Sequence, residues 1–561
     1  MPLTSQLLLN FRKFDPFAIM ILVFIFAGFE VAWAQTPDWA AAYSARGPFD
    51  DISEGICTDG NGNVYTTGYF RESMDFGQVS LSGNGGGDIF LAKYNRQGQL
   101  EWAQSFGGTA LDFSVALVAD SNGDIIFTGG FRSSSITFGN WTLTNPNINA
   151  GNNTFFVCKI DSGGNVLWAK TAIGDGNCRG FDIDTDNNGN VIVLGNYNGV
   201  GVSFGTQTVN NTSQFSDDLF VVKYNAAGDE LWARSFGGNS TDSGFGLSTD
   251  NSGKIHLTGC FNSSSITFDG ITLDNTGAYD IFITQLNENG QTQWARRPTG
   301  NSDDIGTAIT TDEMGNIYAA GYYASRAIDF GLSGLSGNGF NTIYIAKYNN
   351  IGDLLWLRPG MGNNNDEVLA IDTDSDGAVV FTGQFTSETL NFGNLTVSNS
   401  RLNYSDIFVT ALDANGQYMW ALSAEGNEDD YGAGIAGNSN GSIYITGGFW
   451  SPEIFFGSNA LSNASMRQDY YLAEINTSTG IPEFDPGIHF SMYPNPAQER
   501  IQINADKAGL LTVTDPAGQI LISTELIPGS RQIGISTLIP GVYMVQFRAG
   551  EQIWTRKLVK M

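Results

Sequence analysis

Seven tryptophans recur along the chain at intervals of 62 to 66 residues: Trp39, Trp102, Trp168, Trp232, Trp294, Trp356 and Trp420. A period of that length is one supersecondary unit, which cannot bury its apolar face alone and must stack against its neighbours. Other columns keep the same period. Gly62, Gly123, Gly189, Gly253, Gly315, Gly377 and Gly441 each stand three residues after Asp59, Asp120, Asp186, Asp250, Asp312, Asp374 and Asn438. Asp or Asn opens a tight turn by bonding the backbone ahead of it, and glycine takes the left-handed position that closes it. A β-rich segment follows each turn, as in Val64 to Phe70, and is too short for a helix. A second glycine column, Gly68, Gly129, Gly195, Gly259, Gly321, Gly383 and Gly447, lies inside that strand. Missing side chains allow close backbone approach, so neighbouring sheets are expected to pack there.

A third signal is the hairpin typified by Asp88 to Asn95, a turn ending at Gly98, and the strand Leu100 to Ala103. Six copies run straight through. The seventh, Asp469 to Asn476, has no tryptophan strand after it, while Trp39 has no hairpin before it. The two halves complete one another if the strand around Trp39 pairs with Tyr470 to Ile475. The expected fold is therefore all-β: a seven-bladed β-propeller closed by its N-terminal strand, which hides the edges that invite aggregation.

Composition agrees with that architecture and narrows the partners. Among 561 residues, 70 are glycine and only 15% are charged, which disfavours helix-rich classes. A formal charge of −30 repels polyphosphates and offers no basic stripe, so nucleic acid is excluded as a partner. The same charge keeps an exported β-protein soluble, and a monomer is expected. Residues 1–34 read as a signal peptide: Arg12 and Lys13 precede an apolar run from Phe17 to Phe29, and Ala32-Trp33-Ala34 supplies a small-x-small cleavage pattern. No later stretch approaches a membrane span, so membrane contact is expected only through sorting or surface attachment. Cys57, Cys158, Cys178 and Cys260 show no zinc spacing and read as small buried residues, with a Cys158–Cys178 disulfide open.

The repeat core, D-x-x-G-N-V-Y-x-T-G-x-F at Asp59 to Phe70, together with the Trp-Ala strand, resembles the bacterial β-propeller repeats called SBBP repeats, over residues 35–480. Propellers host both enzymes and binding modules, so the resemblance implies a fold and little chemistry. After a linker at 481–487 marked by Pro482, Pro486 and Gly487, residues 488–561 read as a small Ig-like β-sandwich. Its motifs Tyr493-Pro494-Asn495-Pro496, Asp515-Pro516-Ala517-Gly518, Pro540-Gly541-Val542-Tyr543 and Lys557-Leu558-Val559-Lys560 closely resemble the sorting domain of the type IX secretion system. That resemblance implies a Bacteroidetes-type cell, passage through the periplasm, the type IX machinery as partner, and a secreted or outer-surface destination.

The chemistry is sparse. Gly437-Asn438-Ser439-Asn440-Gly441 fits a nucleophile elbow but occupies the seventh turn column with no helix after it, and His256 and His489 suggest no triad. Asp372, Asp374 and Asp376 alternate before Gly377 like the first half of a calcium loop. No Glu stands at the twelfth position, so turn chemistry is favoured; Ca2+ is the only cofactor left open, and none is required. Eight residues before the turn column, Asp51, Asp112, Asp242, Asp304, Asp366 and Asp430 recur, with Cys178 breaking the series. They should ring the mouth of the central channel, where each carboxylate must be solvated, bonded to backbone N–H groups or share a cation. Backbone bonding is favoured. Variable segments after each strand, carrying Arg71, Arg132, Tyr404 and Trp450, are the other candidates for ligand contact. The expected function is a secreted or surface binding module for a glycan, protein or matrix ligand, without catalysis. The alternative is a polysaccharide hydrolase or lyase using loop carboxylates.

Overall fold

A computed structural model of the chain describes residues 37–146, 151–374, 377–438, 441–463, 465, 467–477, 490–493, 497, 499–505, 508–515, 519–527, 529–539, 541–549 and 552–560. The signal-like segment, the linker, His489 and Asp376 lie outside the described residues. The chain divides into two compact units, one spanning Thr36–Ser478 and the other containing Thr479–Met561. Every regular element among the described residues is a strand.

Seven four-stranded antiparallel sheets succeed one another through the first unit. The first runs Asp51–Thr58, Val64–Phe70, Asp88–Tyr94, Leu100–Phe106, and the next five repeat that order. The seventh takes Asp430–Gly437, Ser442–Phe449 and Asp469–Asn476 from the C-terminal end of the unit and Asp38–Ala45 from its N-terminal end. The last two pair from Asp38↔Asn476 to Ala45↔Tyr470.

The connecting turns follow from residue chemistry. Asp59 Oδ1 accepts the N–H groups of Asn61 and Asn63 at 2.9 Å, and Gly62 sits at φ 80° where a Cβ would be strained. Under these turns lie buried ion pairs such as Lys159 Nζ to Asp120 Oδ2 at 2.7 Å and Lys223 Nζ to Asp186 Oδ2 at 2.9 Å. Burial alone would raise these two aspartates, but the lysine bonds and backbone N–H donors hold both below the ordinary carboxylate range.

Two expectations need correction. The second glycine column serves chiefly its own sheet, although at Gly259 the neighbouring sheet also comes close through Gly306. A Cβ at Gly68 would collide with the Ile52 carbonyl of the paired strand, and Gly259, Gly321, Gly383 and Gly447 face the carbonyls of Ser243, Ile305, Glu367 and Tyr431 in the same way. The cause is a bulge one step along each innermost strand, between Ser53 and Gly55 in the first sheet and Gly432 and Gly434 in the seventh, which pushes that carbonyl toward its partner. Trp39 is also not the register equivalent of the other tryptophans. Trp102 stands opposite Lys93 in the strand Asp88–Tyr94, whereas Ala41 stands opposite the corresponding Glu474 and Trp39 opposite Ile475. Trp39 thus occupies the place of Leu100 and of Tyr418, and it packs edge-on to Phe456 at 4.9 Å as Tyr418 packs against Phe392 at 5.3 Å.

Packing between sheets holds the unit together. Tyr65 and Leu91 of the first sheet share an apolar cluster with Phe127 and Phe156 of the second. Phe90 and Tyr94 of the first share another with Tyr444, Tyr470 and Leu472 of the seventh. Indole N–H groups link successive sheets: Trp102 donates to Ser162 O at 3.3 Å, Trp168 to Ala226 O at 3.1 Å, Trp232 to Glu288 O at 3.1 Å and Trp356 to Ala414 O at 3.2 Å. First and last sheets are tied by Thr58 Oγ1 to Gly437 O at 2.7 Å and Tyr470 to Tyr94 at 3.0 Å. Each variable segment carries a two-stranded ribbon, such as Ser135–Phe138 with Trp141–Thr144, whose Phe138 is buried, and in the third sheet Ile173–Gly174 adds a third strand to it. All four cysteines are free, so the Cys158–Cys178 disulfide is not formed.

The second unit has two antiparallel sheets, one of Phe490–Tyr493, Arg500–Ala505 and Gly529–Gly534, the other of Ile520–Leu526, Gly509–Thr514, Gly541–Ala549 and Gln552–Lys560. They share one apolar cluster that includes Ile501, Ile503, Leu511, Val513, Val545, Phe547 and Leu558.

Candidate functional site

Asp51, Asp112, Asp242, Asp304, Asp366 and Asp430 each open an innermost strand, and all six are fully buried. None faces solvent as a ligand contact would. A serine 21 residues later accounts for five of them. Ser133 Oγ donates to Asp112 Oδ2 at 2.7 Å, and Ser263, Ser325, Ser387 and Ser451 do the same for Asp242, Asp304, Asp366 and Asp430 at 2.6 to 2.7 Å. Backbone N–H groups complete the shell, with Gly108 at 2.7 Å and Arg132 and Ser133 at 3.0 Å around Asp112. The serine oxygen in turn accepts from the entering loop, as Ser451 does from Asn427 and Glu428. These five aspartates fold the entries of their own strands. Burial pushes Asp430 up to about 7 and Asp304 and Asp366 to about 6.

The calcium-loop residues divide. Asp372 Oδ2 accepts from Gly437 N at 2.9 Å across to the next sheet, and Oδ1 accepts from Thr373 N at 2.8 Å. Asp374 Oδ1 accepts from Ala378 N at 2.9 Å in its turn. Asp372 thereby serves an unpaired strand edge, as Asp182 does for Leu247 N at 2.6 Å and Asp184 for Thr249 N at 2.7 Å. Among the described residues, no group of three or more His, Cys, Asp and Glu side chains is placed to hold a metal ion. His256 is buried, with Nε2 3.4 Å from Asp250 Oδ2, and burial lowers its pKa.

A cavity of about 670 Å3 runs where the seven innermost strands face one another. One column of its lining repeats as Ile or Leu, from Ile56 and Leu117 to Ile435, while other columns vary from sheet to sheet. Glu54, Phe181, Phe245, Tyr322, Glu367 and Tyr431 enter it from different sheets. Phe181 and Phe245 meet edge to face at 5.6 Å, and the Arg179 guanidinium stacks 4.5 Å above Phe181. Tyr431 lies 6.1 Å from Trp450, which is 37% exposed. Glu367 accepts from Asn341 Nδ2 at 2.6 Å and Gln384 Nε2 at 3.0 Å. Burial pushes Glu54 up to about 7. Of the residues singled out in the sequence, Cys57 and Asp372 line the cavity, and Trp450 lies beside its Tyr431. The others were missed because they stand in columns without a repeat. Their signal was position: Glu54, Phe181 and Phe245 each follow the aspartate column, or Cys178 within it, by three.

Comparison with known proteins assigns the C-terminal unit. The family described as secretion system C-terminal sorting domain matches residues 491–561. The chain is thus a cargo of the type IX secretion machinery, a Bacteroidetes-type protein exported to the outer cell surface or beyond. Over 494 residues it is 24% identical to an uncharacterized WD repeat-containing protein of Acanthamoeba polyphaga mimivirus, covering 72% of this chain and 36% of that protein. Over 127 residues it is 29% identical to regulatory protein FlaEY of Caulobacter vibrioides, covering 22% and 13%. The chain therefore spans about a third or less of the length of these relatives. Solved structures with some likeness include puromycin hydrolase, at 10% identity and TM-score 0.37, covering 92% of this chain and 62% of that one. A DUF4221 family member from Bacteroides vulgatus has 10% identity and TM-score 0.31, covering 79% and 98%.

Proposed function

We propose that the seven sheets are the blades of a closed seven-bladed propeller of SBBP-like repeats, followed by an Ig-like sorting module, and that the propeller is a secreted binding module. The ligand enters the axial cavity. The observation that carries this reading is the cavity itself: a repeating scaffold with a ring of Ile and Leu in its wall also presents columns, such as that of Glu54, Phe181 and Phe245, that vary from sheet to sheet. Concave sites with aromatic walls and a few fixed polar groups are where ligands bind. Phe181, Phe245, Tyr322 and Tyr431 offer ring faces for a sugar, with Arg179 and Glu367 as polar anchors.

The test is a glycan array on the secreted protein with Tyr431→Ala and Trp450→Ala beside it. Saturable binding that both substitutions weaken at least tenfold supports the reading; binding indifferent to both refutes the cavity as the site. A hydrolase is the second reading, favoured by Glu54, whose raised pKa suits a general acid, in one cavity with the amide-held Glu367. Reducing-sugar release that Glu54→Gln abolishes would select it.

A further inference from the structure

The seam between the seventh and first sheets is built differently from the others. Asp51 N donates to Gln468 O at 2.8 Å, which brings Asp51 beside Asp469. Asp51 is 0% and Asp469 1% exposed, and none of their four carboxylate oxygens has a hydrogen-bond partner. The other aspartates of the Asp51 column are bonded, and in the Asp469 column Asp88, Asp218 and Asp280 each leave one oxygen without a partner, whereas Asp469 leaves both. The serine that caps Asp112, Asp242, Asp304, Asp366 and Asp430 is replaced by Glu72, which has no hydroxyl to donate and lies at φ 60°. The loop residue whose N–H meets that serine in three sheets, Asn301, Asn363 or Asn427, is replaced by Pro48, which has no N–H. The Arg46 charge tempers Asp469 more than the Ser465 hydroxyl does, and the Arg71 amide tempers Asp51, though neither donor reaches hydrogen-bond geometry.

Two buried carboxylates without donors are costly unless something neutralises them. We propose that Asp51 and Asp469 hold one divalent cation, Ca2+ by preference, which clips the first sheet to the last. Two carboxylates balance the 2+ charge, and hard oxygen donors select Ca2+ over zinc, which favours nitrogen and sulfur. Water or main-chain carbonyls supply the remaining ligands. A proton shared between the two acids is the competing account.

The experiment uses the full secreted chain stripped with a chelator and titrated with CaCl2 by calorimetry and thermal melting. The expected result is one equivalent bound with a Kd at or below about 1 mM, the range of extracellular calcium modules. At about a hundredfold excess over Kd, Tm should rise by about 3 °C. Asp469→Asn should weaken this binding at least tenfold, while Asp218→Asn, at the same position of another seam, should leave it intact. Pro48→Asn with Glu72→Ser, which restores the residues of the saturated sheets, should remove the calcium response and keep the fold. No binding at about 10 mM CaCl2, or binding unchanged in Asp469→Asn, overturns the proposal and leaves the shared proton.

Discussion

Replacing Trp39 by alanine tests whether the N-terminal strand holds the array together. The indole is 7% exposed, lies edge-on to Phe456 at 4.9 Å, and donates Nε1 to Ser423 O at 3.3 Å. It belongs to one apolar cluster with Ile407, Ile454 and Ile475, which joins the sixth and seventh sheets. Truncating a buried aromatic to alanine costs about 3–5 kcal/mol. For a unit spanning Thr36–Ser478, unfolding entropy of about 2.1 cal/mol/K per residue amounts to about 0.9 kcal/mol/K, so Tm should fall by about 3–5 °C. Deleting Asp38 to Ser44 with residues 1–37 kept should lower it further, because Asp469–Asn476 then becomes a bare edge. Calorimetry on the full chain at several protein concentrations reads both effects and reports aggregation. A Tm shift under about 1 °C for Trp39→Ala, or an unchanged Tm after the deletion, would refute the reasoning.

Ser451→Ala should cost about 1–3 kcal/mol in urea unfolding, since it strips a donor from buried Asp430 and leaves the N–H groups of Asn427 and Glu428 without their acceptor; an unchanged midpoint would show that water replaces the hydroxyl. Stability should peak in mild acid. Burial raises Asp218 and Asp430 to about 7 and Asp406 to about 6, so their contribution is full below the unfolded value of 3.8 and is lost as pH rises through those folded values. Asp120 and Asp186 are lowered, so theirs is present above 3.8 and is lost as pH falls through their folded values. A Tm that climbs steadily from about pH 5 to pH 8 would contradict this balance. Removing residues 487–561 should leave the repeat unit in the periplasm, and cell fractionation that finds it outside would show a second export signal.

The turns and strand pairings were legible because one chain supplies seven copies of each. A column such as Asp59 and Gly62 states its own chemistry, and the unpaired hairpin at Asp469 to Asn476 pointed to its partner strand. Bulges were not legible. The irregularity at Ser53 to Gly55 has no residue signature, yet it decides that Gly68 clears a carbonyl in its own sheet. Trp39 misled for a related reason, since matching residue types hid a register offset that only the ladder reveals. The aspartate column was found, but its burial depended on Ser133 and its counterparts, 21 residues downstream in a segment read as variable. Glu54 and Phe181 could not be ranked by recurrence because they stand in columns that do not repeat.

The pairing of Asp38–Ala45 with Asp469–Asn476 also sets an order of events. The first strand to leave the ribosome waits for the last one of the array before it has a partner. Until then both are open edges, and closing so long a loop is slow compared with forming the hairpins between them. A chain in transit is therefore most exposed to misassociation near the end of its folding, and a neighbouring chain that offers the same unpaired edge could exchange its strand for the chain's own.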